Sequence, residues 1–428
     1  MAGFDNASAL RTALAEAARR GRSVALGPGI YDVSASRLLR EGSINRPSGV
    51  ALEGSGQTRT TLRVTGVVAT NPLFSVGGAS NVITREMRLV GNGRTSETAP
   101  YAGGVMYAVL AEDSVADMMT IAFEDCLIEG FASATWFHVL NLSRRFVIRD
   151  IASRGCVWRS TAGGAPGAGA IGVPGHFIYA HAASGPIERI VVDDVLMDAA
   201  HCKGAIALVG GIRGASIRIA ILKDPGLALA TGSAGLDGSG AYGVLIYQKP
   251  GMRPRSISVA IGRLANPVSV GVYAAGGDQI AVRISEAFGQ RDTRDQTLPK
   301  AVVALKGCRQ ATVQIDRVRD CARVVALSLE SGIAAEIALD LRDIISRKGA
   351  RDVLIGATGS TWAGGVTIRG SRRGPAAIGV GLSAPASVAL TDIDIASFRN
   401  TGAEVPLEID PQLRRRSRRL ALGADAAG

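Results

Sequence analysis

The chain has 428 residues, 47% of them hydrophobic and 20% charged, with a net charge of +11. That apolar content excludes a disordered chain, and the length allows a large core. With 54 glycines but only 16 prolines and no G-X-Y period, collagen is excluded too, and many tight turns between short strands are expected.

The first expected element is a helix. Asp5, Asn6 or Ser8 can cap it, Leu10, Ala13, Leu14 and Ala17 form one apolar stripe, and Gly21 stops it. A strand, a Pro28-Gly29 turn and another strand follow across Val24 to Tyr31. Beyond Val64 short β-branched runs recur. They begin at Ile121, Phe146, Ile190 and Ile217, then at Ser258, Ala281, Val313, Ile337, Val366 and Val388. A second set precedes most of them by about ten residues and includes Phe137 to Asn141, Phe177 to His181, Val244 to Tyr247 and Val270 to Tyr273. A base period of 22 to 27 residues, built from short strands and Gly turns, is the signature of a solenoid. Amphipathic helical stripes and a Leu/Asn ladder are missing, so helical and leucine-rich repeats are excluded. The fold class expected is all-β, a right-handed parallel β-helix with an N-terminal capping helix. One domain covers residues 1–400 in about 10 to 12 coils. An irregular basic tail, 401–428, carries Arg414, Arg415, Arg416, Arg418 and Arg419. Long gaps at Ser160 to Pro174, Pro225 to Gly240 and Gly289 to Pro299 read as inserted loops.

Five cysteines, Cys126, Cys156, Cys202, Cys308 and Cys321, are odd in number and widely spaced. They argue against a disulfide framework or zinc site, and Cys126, Cys156, Cys202 and Cys321, at or near strand ends of repeated segments, read as small core residues. No apolar run reaches the roughly 18 residues of a membrane span, and the first residues lack a signal-peptide pattern.

The opening stretch resembles the pectate-lyase-like β-helix superfamily, in the branch shared by polysaccharide lyases, family-28-type glycosidases and phage tailspikes. The residues that carry the resemblance are Asp5 with the Ala9 to Ala18 helix, Gly27-Pro28-Gly29-Ile30-Tyr31, Gly49 to Gly56 and Thr60-Thr61-Leu62. It implies that the helix caps the open end of the stack, that glycans bind over the middle coils, and that the protein works outside the cell, in a periplasm or on a phage particle. The tailspike branch implies a homotrimer. Two motif sets are missing. Asp193-Asp194 is present, but Gly175-His176 precedes it and the remaining glycosidase motifs are absent, as is the Asp-Pro-His-Asp segment of alginate epimerases.

All four histidines, His138, His176, His181 and His201, fall in one stretch with Trp136, Trp158, Tyr179, Arg149, Arg154 and Lys203. Equivalent residues on adjacent coils stack about 4.8 Å apart. Aligning the two Phe-led runs sets Asn141 beside His181 and Val139 beside Tyr179, with Tyr247 about two coils on. Cleaving a uronate polymer by elimination needs a cation for the sugar carboxylate and a base for the C5 proton. His181 or Tyr179 would be the base, and Lys203, Arg154 or Arg149 would hold the carboxylate. Trp136, His138, Asn141, His176 and Tyr247 would complete the binding surface. A second route is hydrolysis by paired carboxylates. Asp125, Asp150 and Asp194 end their aligned runs and would form such a pair, hold calcium, or simply terminate strands. No other cofactor or metal is expected. A polysaccharide, acidic rather than neutral given the charge, is the expected partner. Nucleic acid is not, since no strand interleaves aromatics with arginines, and neither is a membrane. A non-catalytic glycan-binding role remains the alternative outside enzymes.

Overall fold

The computed structural model describes residues 5–66, 70–92, 104–111, 116–131, 135–160, 175–226, 242–290, 300–330, 333–358, 363–383, 391–409, 411, 415 and 418–421. Most of the three long inserted loops, together with Arg414 and Arg416, lies outside these residues. The chain winds as a right-handed parallel β-helix. Strand pairs among the described residues are parallel from Val24–Ala25 to Arg418–Ala421. Among these residues the one antiparallel contact is a bridge between Lys249 and Met252.

Each coil contributes strands to three sheets. Sheet A contains Met106–Leu110, Thr135–Asn141, 176–182, 204–210, Tyr242–Tyr247, Val270–Ala275 and Ala301–Lys306. Sheet B contains Met118–Glu124, Ile148–Arg154, 187–193, 212–219, Arg255–Ala265 in its first half, and the equivalent strands that follow. Sheet C contains short strands such as Leu127–Glu129, Val157–Arg159 and 196–198. His176–Asp198 runs unbroken through all three.

Alternating side chains explain why these segments are strands. In sheet B, Ile190, Ala215, Ile257, Ile280, Ala311, Ile337 and Val366 stack in register. All of them are buried. The intervening residues face out, and their charges alternate along one file: Glu53, Arg85, Glu124, Arg154, Asp193, Arg218. Opposite charges on neighbouring strands hold register at small individual gain.

The corners are ladders as well. Asn81, Thr120, Asp150, Arg189, Ser256 and Gln279 all adopt positive φ, between 55° and 58°. They occupy one corner of successive coils, with Gly214 (φ 70°) in the same file. A non-Gly residue in this region is strained, so the turn is imposed by the register of the strands on either side. At another corner Asn266 donates Nδ2 to Asp224 Oδ1 at 2.8 Å, bridging adjacent coils.

The end cap forms as the sequence predicts. At the start of the first helix, Ala7–Arg20, the Ala7 N–H donates to Asp5 Oδ1 (2.9 Å), and the helix ends at Gly21 with φ 61°. Ala7, Leu10, Leu14 and Ala17 are buried, and they join one core with Leu26, Val33, Ile44 and Leu52 of the first coils. The cap closes an apolar end and an unpaired strand edge that would otherwise meet water. A second helix, Ala35–Glu41, is unforeseen in the sequence. Arg11 of the first helix binds Glu41 Oε2 at 2.6 Å, and Arg37 binds Asp5 at 2.9 Å. The expected irregular tail differs too: Val405–Ile409 still pairs with Ile378–Ser383, and Arg418–Ala421 pairs with Thr391–Asp394. The ladder therefore runs on past residue 400. All five cysteines are free and buried. No helix among the described residues is long and apolar enough to cross a membrane.

Leu14 is 1% exposed. Leu14→Asp would set an unpaired charge against the first coil and cost several kcal/mol. A lowered thermal midpoint in calorimetry is the expected outcome; an unchanged one would show that the helix does not pack on the solenoid.

Candidate functional site

The outer face of sheet A carries a cluster of rings. Register pairs Tyr107 with His138 and His138 with Tyr179, so these three stand in one file on consecutive coils. Their rings meet edge to face, at centroid distances of 5.0 Å for Tyr107–His138 and 5.1 Å for His138–Tyr179. The neighbouring outward file contains Leu140, His181, Val209 and Tyr247. His181 lies 5.7 Å from the Tyr179 ring, and His176, at the start of the same strand, lies 5.9 Å from it. Three imidazoles thus surround one phenol.

The sequence alignment is off by one here. Phe137 pairs with Ile178 rather than Phe177, so His138 lies beside Tyr179, and Asn141 lies beside Ala182 rather than His181. A one-residue slip exchanges the two faces of a strand. Its source is a pair of consecutive buried residues at each strand entrance, Trp136-Phe137 and Phe177-Ile178.

The electrostatics suit proton transfer. Burial, reinforced by His181, lowers His138 to about 4, and burial, reinforced by Lys203, lowers His176 to about 3. Burial and then Lys249 also lower His181. All three rings are therefore neutral at neutral pH and able to take a proton. Burial raises Tyr107 and Tyr179, which keeps both phenols protonated. The Nε2 atoms of His138, His176 and His181 are buried with no hydrogen-bond partner among the described residues. Buried polar atoms normally have partners, so three such atoms around one ring single out this face as a candidate site.

Several expected residues lie elsewhere. Trp136 is fully buried and points inward, packed on Phe177 at 4.7 Å and on Phe131 at 5.8 Å; it supports the sheet from behind and cannot touch a glycan. Asn141 is also inside. Its Nδ2 donates to Phe146 O and Pro186 O at 3.2 and 2.8 Å, and its Oδ1 accepts from the Ser143 N–H at 2.9 Å. That is a corner brace. Arg149 and Arg154 belong to sheet B, around the corner from the rings. Arg149 is ion-paired with Asp117 and Glu188, and Arg154 with Glu124.

The three aspartates do not stack. Asp150 sits at the A–B corner at positive φ and takes a bidentate Arg189 at 2.6 Å. Asp125 occupies the B–C corner, at φ 49°, over Gly155. Asp194 follows Asp193 at the Asp125 position two coils later but turns into the core. There it accepts bonds from Ser153 Oγ (2.6 Å), the Cys156 N–H (2.9 Å) and Trp158 Nε1 (3.0 Å), and burial raises it to about 6. Lys203, Tyr179, His138, His176 and His181 do converge, and Tyr247, 47% exposed, extends the face two coils beyond His181.

Two residues of the cluster escape sequence reading. Tyr107 precedes the first recognised repeat of this sheet, so no alignment reached it. Lys249 follows a strand at a Pro-Gly turn and reads as loop. Tyr273 is in the repeats, but register places it beside Leu245, and it stacks on Tyr242 at 5.3 Å.

No family model and no curated protein matches this chain. Solved structures do. The A-module of the mannuronan C-5 epimerase AlgE4 from Azotobacter vinelandii aligns at 12% identity and a TM-score of 0.46, covering 95% of this chain and 94% of that one. The AlgE6 A-module from the same organism aligns at 13% and 0.41, over 98% and 94%. The catalytic unit of a GH87 α-1,3-glucanase from Streptomyces thermodiastaticus aligns at 10% and 0.38, over 95% and 68%. At these values the likeness is one of winding, and the site has to be argued from its own geometry.

The lowered histidines predict acid sensitivity. An unfolded imidazole ionises near 6.5, whereas His138 does so at about 4 and His176 at about 3. The unfolded chain therefore binds more protons in this window, and stability falls as pH drops from about 6.5 through 4. The thermal midpoint should decline over that range, and His138→Gln should flatten the decline. An equal slope in wild type and variant would contradict the assignment.

Proposed function

We propose that this protein is a polysaccharide-active enzyme that cleaves an acidic glycan by β-elimination on the outer face of sheet A. The observation that carries this reading is the ring cluster on an open strand face, where His138 and His181 stand edge-on to Tyr179 and His176 is tilted against it, the Nε2 atoms of all three having no hydrogen-bond partner among the described residues. A polymer can lie along such a face, since nothing about a parallel ladder closes it at either end.

The roles follow from ionisation. A uronate C5 proton becomes acidic only when its carboxylate charge is offset, and Lys203 supplies that charge. His181, half-buried and neutral, takes the proton. The C5–H electron pair forms the C4=C5 double bond, and the C4–O bond breaks. Tyr179, its phenol held protonated, donates to the leaving glycosidic oxygen. Tyr179 is thus better suited as the acid than as the base. His138 buttresses Tyr179 from the adjacent coil, and Tyr247 offers an exposed ring to a sugar further along. Hydrolysis by carboxylates has less support, because Asp125, Asp150 and Asp194 stand at sheet B corners or in the core, away from the rings. The basic net charge suits an anionic substrate.

The test is a panel of acidic and neutral polysaccharides, followed by reducing ends and by the ultraviolet absorbance of an unsaturated product. Absorbance rising with reducing ends on an acidic polymer is expected. His181→Ala and Tyr179→Phe should each lower kcat by about 10² to 10⁴ with little change in KM, and Lys203→Ala should affect both. Reducing ends without absorbance would mean hydrolysis, and no cleavage of any polymer would leave a glycan-binding protein.

A further inference from the structure

Cys126 and Cys156 stand at the same point of two consecutive coils. Each follows the B–C corner of its coil, and the corners are alike: Asp125 (φ 49°) and Gly155 (φ 63°) take the same left-handed turn. Register holds on both sides of the corner. Glu124 pairs with Arg154 and Leu127 with Val157, a constant offset of 30 residues that sets Cys126 against Cys156. The coils are tied there by direct bonds, from the Asp125 N–H to Arg154 O at 2.8 Å and from the Val157 N–H to Cys126 O at 2.9 Å. A Cβ on Gly155 would stand 2.2 Å from Asp125 Oδ1, so the two corners are in close contact. Both cysteines are 0% exposed. Each thiol points back to the carbonyl two residues before it: Cys126 Sγ lies 3.3 Å from Glu124 O, and Cys156 Sγ lies 3.4 Å from Arg154 O. The side chains therefore share one orientation as well as one position.

Parallel neighbours lie about 4.8 Å apart, within the roughly 4.4–6.8 Å that the Cα atoms of a disulfide span. Rotation of one thiol about its Cα–Cβ bond, away from its carbonyl, aims it at the other. The remaining cysteines have no such neighbour. Cys202 follows a sheet C strand, Cys308 the sheet A strand Ala301–Lys306 and Cys321 the sheet B strand Gln310–Arg319, so they stand at different corners. An odd count leaves room for one bond and three thiols. We propose that Cys126 and Cys156 are a disulfide site, joined when the chain folds in an oxidising compartment and left as thiols in a reducing one. The oxidant is a small-molecule disulfide. One cysteine thiolate attacks it and forms a mixed disulfide, and the second thiolate displaces the carrier. Two protein thiols thus lose two protons and two electrons, and the sulfur–sulfur bond of the oxidant becomes two thiols. Because both side chains end up enclosed, exchange takes place before the coils close, and the finished bond is shielded from reductant. It would close one coil into a covalent ring that contains Thr135–Asn141 and with it His138. Such a ring restricts the unfolded chain, so the oxidised protein should be the more stable form.

The full-length chain is produced twice in bacteria, in the reducing cytosol and in the oxidising periplasm behind a cleavable secretion signal, and each product is checked for folding by circular dichroism. Each is then unfolded in guanidinium with N-ethylmaleimide and weighed intact. The chain has five cysteines. Five maleimides are expected on the cytosolic protein and three on the periplasmic one, with a linked Cys126–Cys156 peptide in the unreduced digest. Dithiothreitol under denaturing conditions should restore five. Cytosolic protein refolded from guanidinium in a glutathione redox buffer should give the same three by a second route. Cys126→Ser should take four maleimides from either compartment, whereas Cys202→Ser should keep the bond and take two from the periplasm. The thermal midpoint of the oxidised protein should lie above that of the cytosolic one, and Cys126→Ser should remove the difference. Five maleimides on the folded protein from both oxidising routes overturn the site, and so does a linked peptide that joins any other pair of cysteines.

Discussion

Everything in this molecule depends on the register with which one coil sits on the next. Parallel strands fix equivalent residues about 4.8 Å apart, so each position of the coil becomes a file along the solenoid. Inward files of Ile, Val and Leu make the core. Corner files, such as Asn81 to Gln279, repeat the same left-handed turn in residues that seldom adopt it alone. Outward files place chemistry. Tyr107, His138 and Tyr179 come from strands tens of residues apart, yet they stack as neighbours because three coils share one register.

That constraint also separates groups that the linear sequence puts side by side. Arg149, Arg154 and Asp150 lie within 13 residues of Asn141, but the corner between them turns the chain from sheet A to sheet B. The arginines are then spent on Glu124, Glu188 and Asp117, in a charge ladder that helps hold the coils in line. Among the described residues the Nε2 atoms of His138, His176 and His181 have no hydrogen-bond partner. Three unsatisfied ring nitrogens in one patch carry a cost of about 1–3 kcal/mol each, a cost that the surrounding aromatic core tolerates. Behind the site, Trp136, Trp158, Phe123, Phe137 and Phe177 pack as one block, which gives the sheet a rigid floor.

The fold was legible in the sequence because its signals are local or periodic. The capping helix announces itself through Leu10, Leu14 and Gly21, and the solenoid through β-branched runs at a nearly constant spacing. The location of the candidate site was partly legible, since the crowding of histidines into one stretch is visible without any structure. Its internal geometry was not. Whether Tyr179 faces His138 or Val139 depends on a register offset of one residue. Trp136 and Phe177, buried at the strand entrances, disguise that offset by imitating the residues that follow them. Asp194 shows the same limit. It shares a position with Asp125, but one corner turns it into the core, where Ser153 and Trp158 hold it, and no spacing rule distinguishes the two.

The central claim is that the working surface is the outer face of sheet A. The most direct measurement is a crystal structure of the protein with a short uronate oligosaccharide bound. The account predicts sugar density lying along the solenoid over Tyr107, Tyr179 and Tyr247. Density over sheet B, or at the corners occupied by Asp125 and Asp150, would contradict it.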